Sequence, residues 1–272
     1  MLNINDKNIV YCQGVKGAYS HIACQKIFKN NKIQFVKNFE DVCTNVFNSN
    51  DYGILPSENS NAGIVNGIID LLVKYNLNII YAKTIDISHM LCANKNTDIK
   101  NIKTIFSHQQ ALLQCSNFLS KLSAEQVETV NTAASAIMAS KQDNTAAICS
   151  YEAAQIYGLR VLKDYICNSK TNSTRFIVIS KEFYLDDNAT TTSIYFKLKN
   201  KSGELYKILK LFADFGINLS SLHSLPLEEE SWHYGFYIDC ECNLNNDNFK
   251  NCLNAVKKES EYLKVLGCYL SE

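Results

Sequence analysis

The sequence predicts an α/β protein in two parts: a parallel-sheet region reaching to about residue 180, then a smaller βαββαβ module. Three observations carry that prediction. Through residues 8–180, short β-rich runs alternate with stretches whose apolar residues recur at helical spacing, the pattern of strands covered by crossover helices. Four or five of the strand-to-helix junctions carry Ser, Thr, Asn or Gln, which marks a polar, uncharged cleft at the carboxyl ends of the strands. Beyond residue 192, the order strand, helix, strand, strand, helix, strand fills about eighty residues, the split-βαβ plan.

The first β-rich run is 8–12, ending at Gly14. Gly14-Val15-Lys16-Gly17-Ala18-Tyr19-Ser20 then turns the chain into a helix over 22–28. Such a glycine turn is either a tight βα turn or a loop whose N–H groups meet an anion. Strand 34–36 and helix 39–47 follow, with Phe39, Val42, Val46 and Phe47 on the helix's apolar side. Strand 52–56 is closed by Ser57-Glu58-Asn59-Ser60-Asn61-Ala62-Gly63, and the spacing predicts a helix over 64–75. A helix cap needs one of those polar residues, which leaves the others for a ligand. Extended stretches 78–82 and 87–93 cross into a second lobe.

Strand 102–106 leads into Ser107-His108-Gln109-Gln110-Ala111-Leu112-Leu113-Gln114-Cys115. Ser107 suits the N-cap, and Gln110 and Gln114 share a helix face at i, i+4. His108 has no carboxylate or cysteine partner in the sequence and reads as a hydrogen-bonded structural residue ahead of a base. Strand 126–130 precedes a small-residue helix opening at Asn131-Thr132-Ala133. Strand 146–149, helix 151–157 with Ser150 as its cap and Gly158 as its stop, and an extended 161–166 come next. The chain then reaches Asn172-Ser173-Thr174-Arg175-Phe176, where a polar loop becomes the apolar strand 177–179. A hydroxyl beside a guanidinium at a sheet rim suits a small anionic substrate. Residues 185–192 are polar and read as a linker. Strands 193–198, 217–225, 232–241 and 263–269 and helices 204–215 and 247–258 complete the chain.

Composition excludes several classes. Lys+Arg and Asp+Glu both number 27, which argues against nucleic acid or an anionic membrane as partner. No apolar run reaches the roughly 18 residues of a spanning helix, and the first seven residues lack the pattern of a signal peptide; a cytosolic protein is the expectation. The 11 cysteines sit among apolar neighbours and read as buried thiols in a reducing compartment. Cys240-Glu241-Cys242 has no second pair or His-x-x-x-His to complete a zinc site. Neither a metal nor a cofactor is expected.

Five ordered stretches resemble the motifs of the prephenate dehydratase family with a C-terminal ACT domain: Gly14-x-x-Gly17-x-Tyr19-Ser20; Pro56-x-Glu58-Asn59-Ser60-x-x-Gly63; Ser107-His108-x-Gln110-Ala111-x-x-Gln114-Cys115; Thr132-Ala133 with Ala147-Ile148 and Tyr157-Gly158-Leu159; and Asn172-x-Thr174-Arg175-Phe176. The resemblance covers almost the whole chain. It implies a two-lobed catalytic domain like a periplasmic binding protein over 7–181, with lobe 1 at 7–83 plus 170–181 and lobe 2 at 84–169. A linker at 182–191 and a ferredoxin-like ACT domain at 192–272 would follow. It implies conversion of prephenate to phenylpyruvate, water and carbon dioxide, with Thr174 as proton donor and Glu58, Asn59, Ser107 and Gln114 as further catalytic residues. Arg175, Phe176, Asn172, Ser60, Thr132, Ser20 and Gln110 would bind substrate. Gly203, Leu205, His223, Ser224 and Pro226 would form a phenylalanine effector site, and a homodimer or homotetramer is implied.

The chain departs from the family pattern at four places. Ala18 stands where Thr or Ser is common and Gln109 where Pro is. Glu204 replaces the Ala of the Gly-Ala-Leu motif, and His223-Ser224-Leu225-Pro226 replaces Glu-Ser-Arg-Pro. These leave the sign and strength of phenylalanine regulation open. Two rival readings are arogenate dehydratase and a non-catalytic ligand sensor with the same two-lobed cleft.

Overall fold

A computed structural model describes residues 5–169, 171–226 and 234–272. Lys170 and the predicted start of strand 232–241, Trp232 and His233, lie outside the described residues.

The first lobe opens with β1 (Ile9–Gln13), α1 (Tyr19–Ile27), β2 (Lys32–Val36), α2 (Phe39–Asn48) and β3 (Tyr52–Asn59). The short β4 (Gly63–Ile64), α3 (Ile68–Lys74) and β5 (Asn78–Asp86) follow. Asn38 starts α2 with a reciprocal cap: its side chain accepts from Asp41 N at 2.7 Å and the Asp41 carboxylate accepts from Asn38 N at 3.3 Å, a capping box. The helix predicted from residue 64 begins only at Ile68, because Gly63 and Gly67 both sit at φ +78° and Ile64 is held in a bridge to Glu58.

The second lobe contains β6 (Met90–Ala93), β7 (Thr104–Ser107), α4 (Gln109–Gln114), α5 (Ser116–Leu119) and β8 (Glu125–Glu128). It continues through α6 (Thr132–Ser140), β9 (Thr145–Cys149), α7 (Tyr151–Ile156) and β10 (Arg160–Lys163). Asn131 and Ser150 cap α6 and α7 by accepting from Ala134 N and Ala153 N at 2.8 and 3.1 Å. The chain then returns to the first lobe as β11 (Ser173–Ser180), passes through irregular residues 181–190, and builds β12 (Thr191–Lys197), α8 (Glu204–Asp214), β13 (Leu219–Pro226), β14 (Tyr234–Cys240), α9 (Asp247–Glu259) and β15 (Tyr262–Tyr269).

Three sheets result. The first has the order β2-β1-β3-β11-β5, the second β10-β6-β9-β7-β8 and the third β13-β14-β12-β15. The first two are mixed rather than purely parallel as expected. β11 is antiparallel to both β3 and β5, and β6 is antiparallel to β9 and β10. A return strand threaded from the other lobe enters from the opposite end, and a pattern of apolar residues does not record direction. The third sheet, all antiparallel with α8 and α9 on one face, is the ferredoxin-like order.

The other face of this third sheet buries Tyr195, Leu225, Tyr237, Leu266 and Tyr269 against Val42, Leu55, Ile69 and Leu72 of the first lobe. Gly267 lets β15 lie close to β5, since a Cβ there would stand 2.0 Å from the Ile79 carbonyl oxygen. The Lys264 ammonium donates to the carbonyls of Leu72 and Leu77 at 3.4 and 3.2 Å, capping the end of α3. Ala82 N donates to Leu270 O and Glu272 N to Ala82 O, so the last residues cover the edge of β5.

Candidate active site

The site is organised by two adjacent strands. β3 and β11 pair so that Thr174 stands opposite Asn59 and Arg175 opposite Glu58. Successive residues of a strand point to opposite faces. Asn59 and Thr174 therefore share the face that meets the second lobe, while Glu58 and Arg175 share the face that meets the third sheet.

On the first face is an amide cluster. Asn59 Nδ2 lies 3.0 Å from Thr174 Oγ1, 2.9 Å from Asn172 Oδ1 and 2.9 Å from the Ser173 carbonyl. Its Oδ1 accepts from the backbone N–H groups of Asn61 and Ala62 at 3.1 and 3.0 Å. Those two donors settle which end of the carboxamide is oxygen, because a backbone N–H cannot accept. The assignment propagates: Asn172 Oδ1 faces Asn59 Nδ2, so Asn172 Nδ2 donates onward to Gln114 Oε1 at 3.0 Å. Thr174 is buried at 9 % exposure, and its oxygen accepts from Asn59. Among the described residues nothing accepts its proton, so the hydroxyl hydrogen is left to point at a ligand. Ser60 Oγ accepts from Ser173 N at 3.0 Å, and Ser60 N donates to Ser173 O, tying the loop after β3 to the start of β11.

Gln114 brings in the second lobe, and beyond it His89. His89 Nε2 is 3.2 Å from Gln114 Oε1, its Nδ1 is 3.2 Å from the Tyr19 hydroxyl, and that hydroxyl donates to the Ser88 carbonyl at 2.7 Å. Burial pushes the imidazolium down to about 4, a shift that the Gln114 bond only partly offsets. His89 is neutral at neutral pH. His89 lies on the outgoing connection between lobes and Asn172 on the return; Asp86, Ser88, Tyr165, Cys167 and Asn172 are among the residues that line a cavity of about 740 Å³ there.

The lobes touch at the glycine turn. Gly17 sits at φ +85°, and a Cβ there would meet Ala153 Cα of α7 at 2.8 Å. Ser150 Oγ donates to the Gly17 carbonyl at 3.1 Å and the Tyr157 hydroxyl to the Lys16 carbonyl at 2.8 Å. Close backbone approach to the opposite lobe is what these glycines allow. Ser20 is buried in the first turn of α1, Thr132 is buried at the start of α6, and Gln110 is exposed on α4.

Several residues expected at the site lie apart from the amide cluster. Arg175 does not share a face with Thr174. Its guanidinium turns to the third sheet, 2.5 Å from Asp239 and 3.3 Å from the Tyr237 hydroxyl, with Glu58 at 3.9 Å. Glu58 shares that back face, 3.7 Å from His223 Nε2, and is no part of the amide cluster. Phe176 is 2 % exposed and packs with Ile22, Ile54 and Ile85 in the first lobe's core. Ser107 is fully buried at the end of β7, donating to the Ile148 carbonyl at 2.9 Å. His108 is the residue that caps α4, its Nδ1 accepting from Gln110 N at 3.3 Å.

The residues expected to hold an effector lie on two elements, α8 and β13. Gly203, at φ +84°, and Leu205 open α8 beside a cavity of about 100 Å³ lined by Lys199, Glu204, Leu205, Tyr234 and Phe236. His223 lies over Tyr237 and faces the first lobe, while Ser224 and Pro226 are exposed on the edge strand β13.

Sequence reasoning missed His89 and Asp239. His89 interrupts an apolar crossing, Ile87-Ser88-His89-Met90, and Asp239 sits in the apolar strand β14 with 0 % exposure. A charge inside an apolar strand demands a partner, and that was the available signal. Asp239 satisfies it four ways, with Arg175, Ser193 at 2.5 Å, Tyr237 at 2.6 Å and Ser221 at 3.2 Å.

Fold and site together define a two-lobed α/β protein with a buried hydroxyl in an amide cluster where the lobes meet and a ferredoxin-like module against its back. The family model described as prephenate dehydratase matches residues 10–183. The bifunctional chorismate mutase/prephenate dehydratase of Buchnera aphidicola (subsp. Acyrthosiphon pisum) is 35% identical over 269 residues, covering 95% of this chain and 70% of that protein. The prephenate dehydratase of Arthrobacter aurescens, solved with L-Phe, superposes with a TM-score of 0.86 at 25% identity, over 97% of this chain and 90% of that one. A structure described as GqqA, a quorum quenching acylase, superposes at 0.87 and 27% identity, over 97% and 98% of the two chains. The chain belongs to the prephenate dehydratase family.

Proposed function

We propose that the chain converts prephenate to phenylpyruvate, carbon dioxide and water, with Thr174 donating the proton that the departing ring hydroxyl needs. The single observation behind that role is the direction of the Thr174 bond: Asn59 Nδ2 occupies its oxygen, so its proton is what a ligand meets. As the ring carboxylate leaves as carbon dioxide, its bonding electrons pass through the ring and expel the hydroxyl at the opposite carbon. The Thr174 proton makes the leaving group water, and solvent reprotonates the threonine. Such general-acid help is worth about 10²–10⁴ in rate.

The hydrogen-bonded side chains around Thr174 are neutral. That suits the chemistry, since a guanidinium paired to the ring carboxylate would hold the charge that must be lost. Neutral donors, joined by the N–H groups of Thr132 and Ala133 at the start of α6, would hold the substrate's two carboxylates. The catalytic region would then be 7–181, joined by 182–191 to a regulatory module at 192–272. The module would bind L-phenylalanine between copies of the chain in a dimer or tetramer. Nine buried free thiols of 11 suit the cytosol.

Arogenate has an amine where prephenate has a ketone. Among the described residues the amide cluster itself holds no carboxylate, Glu58 lying on the opposite face of β3, while Asp86 lines the adjoining cavity, so the two substrates are told apart by assay. An acylase would need a nucleophile held by a base; among the described residues His89 is turned to Gln114 and Ser107 to a carbonyl. The deciding experiment follows product formation from prephenate and from arogenate on the purified chain, with and without L-phenylalanine. Higher kcat/KM for prephenate supports the reading; turnover of neither substrate leaves the ligand-sensor alternative standing.

A further inference from the structure

We propose that His89 is a positioning residue for this reaction, the far anchor that fixes the orientation of the amide chain and so the direction of the Thr174 proton. The proposal rests on the reading of Thr174 as proton donor. Its support is the directional logic of the contacts. At one end the chain is fixed by backbone N–H groups of Asn61 and Ala62, and every link from Asn59 through Asn172 to Gln114 then has one allowed sense. Gln114 Oε1 ends up accepting twice, from Asn172 and from His89. His89 must therefore carry its proton on Nε2 and leave Nδ1 bare toward the Tyr19 hydroxyl.

Tyr19 stands edge-on to the ring at 5.7 Å between centroids. With Nδ1 bare, the single proton of the Tyr19 hydroxyl has two acceptors, the Ser88 carbonyl at 2.7 Å and Nδ1 at 3.2 Å, so the tautomer is set on the Gln114 side of the ring. Without the Nε2 proton, Gln114 Oε1 keeps only the Asn172 donor to hold the carboxamide against rotation. Rotated by half a turn, it sets its NH₂ against that of Asn172; Asn172 then turns too and presents NH₂ to Asn59 Nδ2. Asn59 cannot follow, because the two backbone donors hold its oxygen. The conflict lands at the atoms beside Thr174. The relay also links the two connections between lobes, since His89 is on one and Asn172 on the other, so it reads lobe placement directly at the catalytic hydroxyl.

Two substitutions separate this role from simple packing. In His89→Gln the amide nitrogen reaches the Nε2 position; in His89→Asn it reaches only that of Nδ1. The expected result, with prephenate as substrate on the full chain, is a kcat within about threefold of wild type for His89→Gln and at least about tenfold lower for His89→Asn, with KM within about threefold in both. A difference in kcat with equal melting temperatures supports positioning. Equal kcat values for the two variants, or wild-type turnover in His89→Asn, overturn the proposal. Running Thr174→Val alongside tells the failures apart: if it is impaired while His89→Asn is not, only the His89 role falls, and if it is unimpaired the reading of Thr174 falls and this proposal with it. Nitrogen-15 histidine spectra of the unmodified protein at neutral pH give a test that needs no variant. They should show His89 protonated at Nε2, and protonation at Nδ1 would contradict the chain of orientations.

Discussion

Asp239→Ala is the perturbation with the largest predicted effect on stability. Asp239 is 0 % exposed and the Arg175 side chain 17 % exposed, so the pair spans the seam between the third sheet and the strand that carries Thr174 with little solvent screening. Removing the carboxylate strands the guanidinium and leaves Ser193, Tyr237 and Ser221 without their acceptor. Breaking a buried pair from one side costs about 3–5 kcal/mol. For a chain of 272 residues, with an unfolding entropy of roughly 2.1 cal/mol/K per residue, that corresponds to a fall in Tm of roughly 5–9 °C. Calorimetry on the variant measures it. The double variant Arg175→Met/Asp239→Leu should recover most of the loss, because replacing both partners by apolar groups is often neutral or better. A Tm for Asp239→Ala within about 1 °C of wild type would show that the buried pair contributes nothing, and the account of the seam would be wrong.

Three further outcomes are expected. Burial pushes the folded His89 imidazolium down to about 4 from its ordinary 6.5, so between those values the unfolded chain binds the extra proton and stability falls as pH drops. The contribution is about 3 kcal/mol in full, and denaturant midpoints between pH 7 and pH 4 should show a shallower slope for His89→Gln. Gly267→Ala drives a methyl into the Ile79 carbonyl and should cost about 1–3 kcal/mol, read by the same unfolding curves; no change would mean that β15 does not lie against β5. Cys167 lines the 740 Å³ cavity, and a hydrogen bond with the free thiol of Cys115 holds its own thiol down to about 6. Limited iodoacetamide at pH 7 with peptide mapping should label it first, and earlier labelling of Cys242 would contradict this.

Much of the fold was legible because strand and helix periods, glycine stops and polar caps agree with one another along 8–166. Asn59, Gln114, Asn172 and Thr174, which the fold brings into one hydrogen-bonded cluster, stood out for a related reason: each sits where an apolar element begins or ends, so its polarity has no packing explanation. The pairing of Thr174 with Arg175 was misread, although strand alternation alone separates neighbours onto opposite faces. Glu58 and Asn59 repeat the same lesson on the partner strand. What opposes each face is set by tertiary contacts, and no local pattern announces that Arg175 meets a residue 64 positions away. The direction of β11 was hidden likewise, since it depends on the path through the second lobe.

The central claim is that the Thr174 hydroxyl supplies a proton to the leaving group, and Thr174→Val tests it most directly because it keeps the shape and deletes the hydroxyl. The account predicts a kcat for phenylpyruvate formation lower by about 10²–10⁴ with KM changed only a few-fold, and recovery of much of the rate in Thr174→Ser. Turnover by Thr174→Val at the wild-type rate would contradict it.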